Sequence, residues 1–193
     1  FIKDKEQVSE RWVYVVRASE FLRDTFAAVR LKRNLERTNN VEKNINNDSR
    51  VIARVSVAEP EQVMEAVDAA YDAFPKWSRF SIDQRIEIVV SINKAIKERK
   101  EEFVQALISE GHPRKLAEWE VDGVLKGCSE EMMNINRDIL YTEFNVNGRR
   151  TYWTRKPDGV VTIVPPQNAS AVNSLLGLPI LAGGNTLVIK VPR

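Results

Sequence analysis

The sequence predicts an α/β fold: a helical region that passes through a β-hairpin into a strand–helix–strand unit. Three observations carry that expectation. Apolar residues recur at helical spacing from about residue 60 to residue 110. Aromatic and β-branched residues flank Asn147-Gly148. Two short apolar runs, GVVTIVPP and NTLVIKV, bracket a helical segment near the C-terminus.

Taken in order, WVYVV (12–16) predicts a short strand. ASEFLRDTFAAVRLKRNLE predicts one helix, with Ser19 as its N-cap and Phe21, Leu22, Phe26, Val29 and Leu35 near one face. The polar, Asn-rich stretch 38–49 predicts an exposed loop. RVIARVSVA (50–58) predicts a strand, and a helix follows with Pro60 in its first turn and Val63, Ala66, Val67, Ala70 and Tyr71 as its apolar stripe. Ser81 opens a long helix whose Ile82, Ile86, Val89, Ile92, Ile96, Phe103 and Leu107 share a face, and Gly111 and Pro113 stop it. A third helix is expected over about 114–133.

The period then changes. YTEFNV and RRTYWTR on either side of Asn147-Gly148 predict a hairpin, because Asn-Gly tolerates the positive φ of a type I′ turn. The run GVVTIVPP predicts a buried parallel strand, SAVNSLLGLPILAGG a helix, and NTLVIKV a second buried strand. Strand, helix and parallel strand make one βαβ crossover, the first unit of a nucleotide-binding α/β fold. Two strands with one helix leave both sheet edges unpaired, so the domain is expected to continue beyond Arg193 or to be completed by another chain.

Composition narrows the classes. The 193 residues are 43% hydrophobic and 29% charged, as in globular chains. Twenty-nine basic against 27 acidic residues leave a net charge of +2, which gives no reason to expect nucleic acid or an anionic membrane as partner. No apolar run approaches the ~20 residues that span a bilayer, and FIKDKEQVSERW has no apolar signal core. One cysteine, Cys128, permits no intrachain disulfide, which fits a reducing, cytoplasmic setting. One Cys and one His, His112, cannot make an ordinary zinc site, so no metal is expected.

From about Val51 to Arg193 the sequence resembles the aldehyde dehydrogenase superfamily. The helical region carries AVDAAYDAFPKW, Arg85, Glu110-Gly111 and AEWEV, spaced much as in that family. The stretch RKPDGVVTIVPPQN…PILAGGNTLVIKVPR looks like its P-x-G-V-V-x-x-I-x-P-W-N followed by P-A-L-A-A-G-N-T-V-V-x-K-P. Residues before about Asn40 carry no such likeness. The resemblance implies the N-terminal part of an aldehyde dehydrogenase-like fold. Its expected organisation is an extension at 1–49, the helical part of the nucleotide-binding domain at 50–140, an oligomerisation hairpin at 141–156, and the first βαβ unit of the Rossmann-like domain at 157–193, with the catalytic domain absent.

The same resemblance implies site residues. Asn168 matches the family's catalytic Asn, whose side-chain amide steadies the oxyanion formed when a thiolate attacks an aldehyde; the bland reading is an Asn that caps the next helix. Val164, Pro165, Pro166 and Gln167 match positions that line the dinucleotide. Lys190 matches the Lys that binds the adenosine ribose hydroxyls, against a solvated Lys at a strand end. Arg193 stands where members often carry a ribose-binding Glu; its guanidinium fork suits a 2′-phosphate, so NADP is expected to be accepted at least as well as NAD.

Cys128 lies before the hairpin, whereas the family nucleophile follows the whole nucleotide-binding domain, so Cys128 is expected to be structural. His112 is expected at the surface, and Arg30, Lys32, Arg33 and Arg37 on a solvated helix face. The family's glycine motif for phosphate, its Glu base and its nucleophilic Cys are absent from the sequence. The implied function is NAD- or NADP-dependent oxidation of a small-molecule aldehyde to a carboxylic acid through a cysteine thioester, in a homo-oligomer joined through the hairpin, with this chain alone inactive. Gln167 in place of the usual Trp, and LLGL (175–178) without the usual Lys, keep an acylating, CoA-dependent reaction open. A catalytically inactive fragment acting as an assembly partner is the non-enzymatic alternative.

Overall fold

The computed structural model describes residues 2–38 and 48–191. The Asn-rich loop expected over 38–49 therefore falls almost wholly outside the described residues, and so does Arg193 with the cofactor preference read from it. The described residues form two compact units, one of residues 2–38, 48–65 and 101–118, the other of 66–100 and 119–191.

In the first unit, β1 (Trp12–Val16) pairs antiparallel with β2 (Val51–Ser56), Trp12 opposite Ser56 and Val13 opposite Val55. Tyr14 and Val51 are buried with Leu35, and Trp12 and Leu31 pack around them. The single helix expected after β1 is two helices, α1 (Ala18–Arg23) and α2 (Thr25–Thr38). Asp24 breaks them apart: its backbone is extended and its Oδ1 accepts the N–H of Ala27 at 2.9 Å, so an Asp inside the run caps a new helix. Ser19 is not the cap of α1, whose N-cap is Arg17 without a side-chain hydrogen bond. The break also dissolves the expected apolar face. Leu22 and Phe26 are 90% and 83% exposed, while Ala28 and Leu35 are the buried residues of α2.

Helix α3 (Pro60–Trp77) starts at Pro60 as expected, yet none of its residues is buried, and Val63 and Tyr71 of its stripe are exposed. Ser81 caps α4 (Ile82–Glu98) through a capping box: its side chain accepts the N–H of Gln84, and the Gln84 side chain accepts the N–H of Ser81. The expected long helix stops at Arg99, and α5 (Lys100–Glu110) follows. Nothing in the helix-forming run KERKEE marks that break. Gly111, at φ +112°, closes α5 with a Schellman turn, its N–H bonded to Ile108 and that of His112 to Leu107. The third expected helix is likewise two, α6 (Arg114–Gly127) and α7 (Glu130–Leu140), because the Ser129 side chain accepts the N–H of Met132 and caps a fresh start.

In the second unit β3 (Tyr141–Val146) and β4 (Arg149–Thr154) form the expected hairpin around Asn147 and Gly148, both at positive φ (50° and 76°). Strand β5 (Val160–Ile163) pairs in parallel with β6 (Thr186–Ile189), Val160 beside Thr186 and Ile163 beside Ile189. Both strands are shorter and less buried than expected. Pro165 and Pro166 offer no N–H to a ladder, and among the described residues no third strand covers either edge. The helix expected between them is two short ones, α8 (Ser170–Leu175) and α9 (Leu178–Ala182). A Cβ on Gly177 would stand 2.2 Å from Ile163 Cδ1, so the Ile163 side chain would have to move to admit one. Helix α9 packs on β6 and against α4 and α7. Among the described residues no helix is long and apolar enough to cross a membrane.

The capping box yields a direct test. Ser81→Ala removes the acceptor for the N–H of Gln84, and we expect a loss of about 1 kcal/mol in urea unfolding, with the m-value unchanged. Ser81→Asp, which keeps an acceptor at the cap, is expected to stay near wild type.

Candidate cofactor and catalytic site

The ends of β5 and β6 are held by side chains from the helices before them. Arg85 projects from the apolar face of α4 and is 7% exposed. Its Nε donates to the carbonyl of Ala182 at the end of α9 (2.9 Å), and one terminal nitrogen faces the carbonyls of Ser78 and Phe80. Burial draws its pKa below the ordinary value, but a guanidinium keeps its charge in proteins, so a fixed cation stands beside the C-terminus of α9, where cations are favoured, ahead of β6. Trp77 Nε1 donates to the carbonyl of Leu181 at 3.1 Å, and Thr186 Oγ1 to that of Ala70 at 2.9 Å.

Asn185 pins the two strand starts together. Its Oδ1 accepts the N–H groups of Asp158 (2.7 Å) and Gly159 (3.0 Å), and its Nδ2 donates to Ile180 at 3.4 Å. At the other end of the strands the N–H of Lys190 donates to the carbonyl of Ile163 (2.9 Å), so the two exits lie side by side. Exits of adjacent parallel strands are where α/β sheets take ligands.

Asn168 lies five residues past Ile163, in the turn that precedes α8. In that turn Pro165 is buried, while Val164, Pro166, Gln167 and Asn168 are exposed. The N-cap of α8 is Ala169, left-handed at φ 52° and ψ 46°, with no side-chain cap hydrogen bond. Asn168 is thus not spent on capping α8. Asn173, on α8, donates its Nδ2 to the carbonyl of Ala169 (2.8 Å) and stands 3.4 Å from that of Asn168. Lys190 is exposed one residue past β6, its three ammonium donors available to hydroxyl or phosphate oxygens. An open surface beside a cationic donor suits a dinucleotide.

Cys128 is fully buried, its Sγ 3.9 Å from the carbonyl of Leu175. Burial pushes its thiol up to about 11, the reverse of what a thiolate nucleophile requires. His112 is half-buried at the end of α5, with Nδ1 3.2 Å from the Leu107 carbonyl. Of the basic cluster, Lys32 pairs loosely with Glu36 along α2 at 4.0 Å, and Arg30, Arg33 and Arg37 are exposed.

Arg85 and Asn185 stand in the sequence motifs with no role attached to them, and Asn173 lies outside those motifs. An Arg between Ile82 and Ile86 on an apolar stripe was a usable signal, because a buried charge demands partners. Asn173 had none, since its partners are backbone carbonyls.

The sequence model of the aldehyde dehydrogenase family matches residues 34–193. The chain is 32% identical over 146 residues to a D-glyceraldehyde dehydrogenase (NADP(+)) of Thermoplasma acidophilum, a match covering 72% of this chain and 29% of that protein. It is 31% identical over 131 residues to the mitochondrial succinate-semialdehyde dehydrogenase of Rattus norvegicus, covering 65% and 24%. It resembles the crystal structure of an NAD-dependent benzaldehyde dehydrogenase from Corynebacterium glutamicum with a TM-score of 0.63 and 29% identity, over 76% of this chain and 32% of that one. The chain spans less than a third of the length of these three proteins.

The Cys128 environment predicts a pH dependence with a definite sign. A thiol raised from 9.0 to about 11 on folding stabilises the folded chain fully below pH 9 and loses that contribution as pH rises toward 11. The stability gap between wild type and Cys128→Ala is therefore expected to narrow from pH 8.5 to pH 10.5 in urea unfolding. A gap that stays constant or widens counts against the buried thiol.

Proposed function

The chain belongs to the aldehyde dehydrogenase family, and on that premise we propose that it supplies the N-terminal part of an enzyme that oxidises an aldehyde to a carboxylic acid with NAD or NADP. The observation that carries this reading is the pair of adjacent strand exits, one leading to Asn168 in an exposed turn and the other to Lys190. Bound there, the dinucleotide supplies the hydride acceptor. Lys190 holds its ribose hydroxyls, and Val164, Pro165, Pro166 and Gln167 form the wall it lies along. The Asn168 amide donates to the aldehyde oxygen as that oxygen gains charge under attack by a thiolate. This thiolate is not Cys128, which is buried and protonated at neutral pH. The hydride on the attacked carbon leaves to that acceptor, and water then cleaves the resulting thioester to the acid and returns the thiolate. The Gln167 position keeps acyl transfer to CoA as a second reading, which product analysis with and without CoA separates.

We place the dinucleotide-binding region on the helices and βαβ unit from about residue 50 onward, and the assembly surface on the hairpin. Phe144, Tyr152 and Trp153 are exposed there, and Tyr141 stacks on Tyr152 at 6.1 Å. Arg150 holds Glu143 with two bonds, of 2.6 and 2.8 Å. A stiff hairpin with free edges and exposed aromatic rings favours pairing with a second copy.

Two outcomes test this. In the intact enzyme Asn168→Ala is expected to lower kcat on the order of 100-fold while the dissociation constant for NAD(P) stays unchanged; an unaltered kcat removes the oxyanion role. Sedimentation of the intact enzyme is expected to show an oligomer that replacement of 142–153 by a short Gly-Ser turn reduces in order, and a monomeric wild type refutes the hairpin's role.

A further inference from the structure

The turn that carries Asn168 contains a conformation that something must hold. Ala169 sits in the left-handed region, at φ 52° and ψ 46°. L-residues other than glycine, Asn and Asp rarely occupy it, because Cβ crowds the following carbonyl, and they stay there only where the surroundings enforce it. Among the described residues the other non-glycine ones at positive φ are Lys3, Asp4 and Asn147. Two of those are the Asn and Asp types that tolerate the region, and Ala169 has no such excuse.

The usual device for fixing the start of a helix, a side chain that accepts from its first N–H groups, is not present at Ala169. What grips Ala169 is its own carbonyl, and both donors come from Asn173. The Asn173 backbone N–H reaches it at 3.1 Å and the side-chain Nδ2 at 2.8 Å. The same Nδ2 stands 3.4 Å from the carbonyl of Asn168. Relaxing Ala169 to an ordinary φ would rotate the peptide joining it to Asn168 and swing the Asn168 side chain.

We propose that Asn173 is a positioning residue for Asn168: its side-chain amide holds Ala169 in the left-handed conformation and thereby aims the Asn168 amide. The proposal rests on the reading of Asn168 as the oxyanion donor. A donor of that kind acts by standing ready where charge will develop, so a loss of aim is a loss of rate rather than of cofactor binding.

The experiment is a double-mutant cycle in the intact enzyme. Asn173→Ala is expected to lower kcat on the order of 10-fold, with the dissociation constant for NAD(P) unchanged. Asn173→Asp, which has the same shape but cannot donate when ionised, is expected to lose kcat as well. In an Asn168→Ala background Asn173→Ala is expected to have little further effect, because two residues that act through one group are not additive. Asn173 is exposed, so its truncation leaves the core intact, and thermal melting of each variant confirms the fold. A normal kcat in both Asn173 variants, alongside a depressed kcat in Asn168→Ala, overturns the proposal and leaves the oxyanion reading standing. Equal effects of Asn173→Ala in both backgrounds also overturn it, since that is the signature of a structural role. A normal kcat in Asn168→Ala removes the oxyanion reading and this proposal with it.

Discussion

The second unit depends on the Arg85 guanidinium, a charge sunk among helices with backbone carbonyls for partners. It donates to the carbonyl of Ala182, where α9 ends, and to those of Ser78 and Phe80, where α3 gives way to α4. The Ala182 carbonyl stands in the last turn of α9 and lacks an intrahelical donor, and Ser78 and Phe80 lie in the link between α3 and α4, outside both helices. One side chain thus bonds backbone carbonyls from two parts of the chain. The space around it is tight: a Cβ on Gly184, at φ +91°, would stand 3.3 Å from Arg85 Cζ. The positive φ favours a glycine there.

From that anchor the placement of the strands follows. Gly183 and Gly184 turn the chain out of α9, and Asn185 then presents its carbonyl oxygen to two N–H groups ahead of β5. These bonds set the parallel register at its beginning, with Val160 beside Thr186. Register in a sheet is discrete, and a slip of one residue turns every side chain to the other face. The relation between the exits at Ile163 and Lys190 is thereby set by polar groups at the far ends of the strands. Trp77 bonds α3 to α9 and Thr186 bonds β6 to α3, so a helix with no buried residue of its own still holds the sheet.

Much of this was legible. The Asn147-Gly148 hairpin, the Ser81 cap, the Pro60 start and the order strand, helix, strand each follow from local chemistry that tertiary context did not override. The element ends were harder. Asp24, Ser129 and Gly177 each divide a helix that periodicity drew as continuous. Caps inside an apolar repeat are invisible to a method that counts apolar spacing alone. The break at Arg99 has no local cue at all. Asn168, Lys190, Val164, Pro165, Pro166 and Gln167 are proposed from the resemblance, and their neighbourhood has no such trace in the sequence, because it consists of bonds to backbone.

The sequence by itself determined the kinds of element and their order, because helix and strand periods, caps and turn residues are short-range properties. It also determined the family, through motifs long enough to be specific. Only the tertiary structure decided that Arg85 closes the end of α9, that Asn185 ties β5 to β6, that Cys128 is sealed against Leu175, and that Ala169 is held left-handed by Asn173. Arg85, Asn185 and Cys128 meet partners distant in the chain. For Asn173 the chain distance is short, and what matters is a backbone angle. Neither a long-range hydrogen bond nor an unfavourable φ leaves a periodic trace in sequence, since both are fixed by where the whole chain has placed its carbonyls.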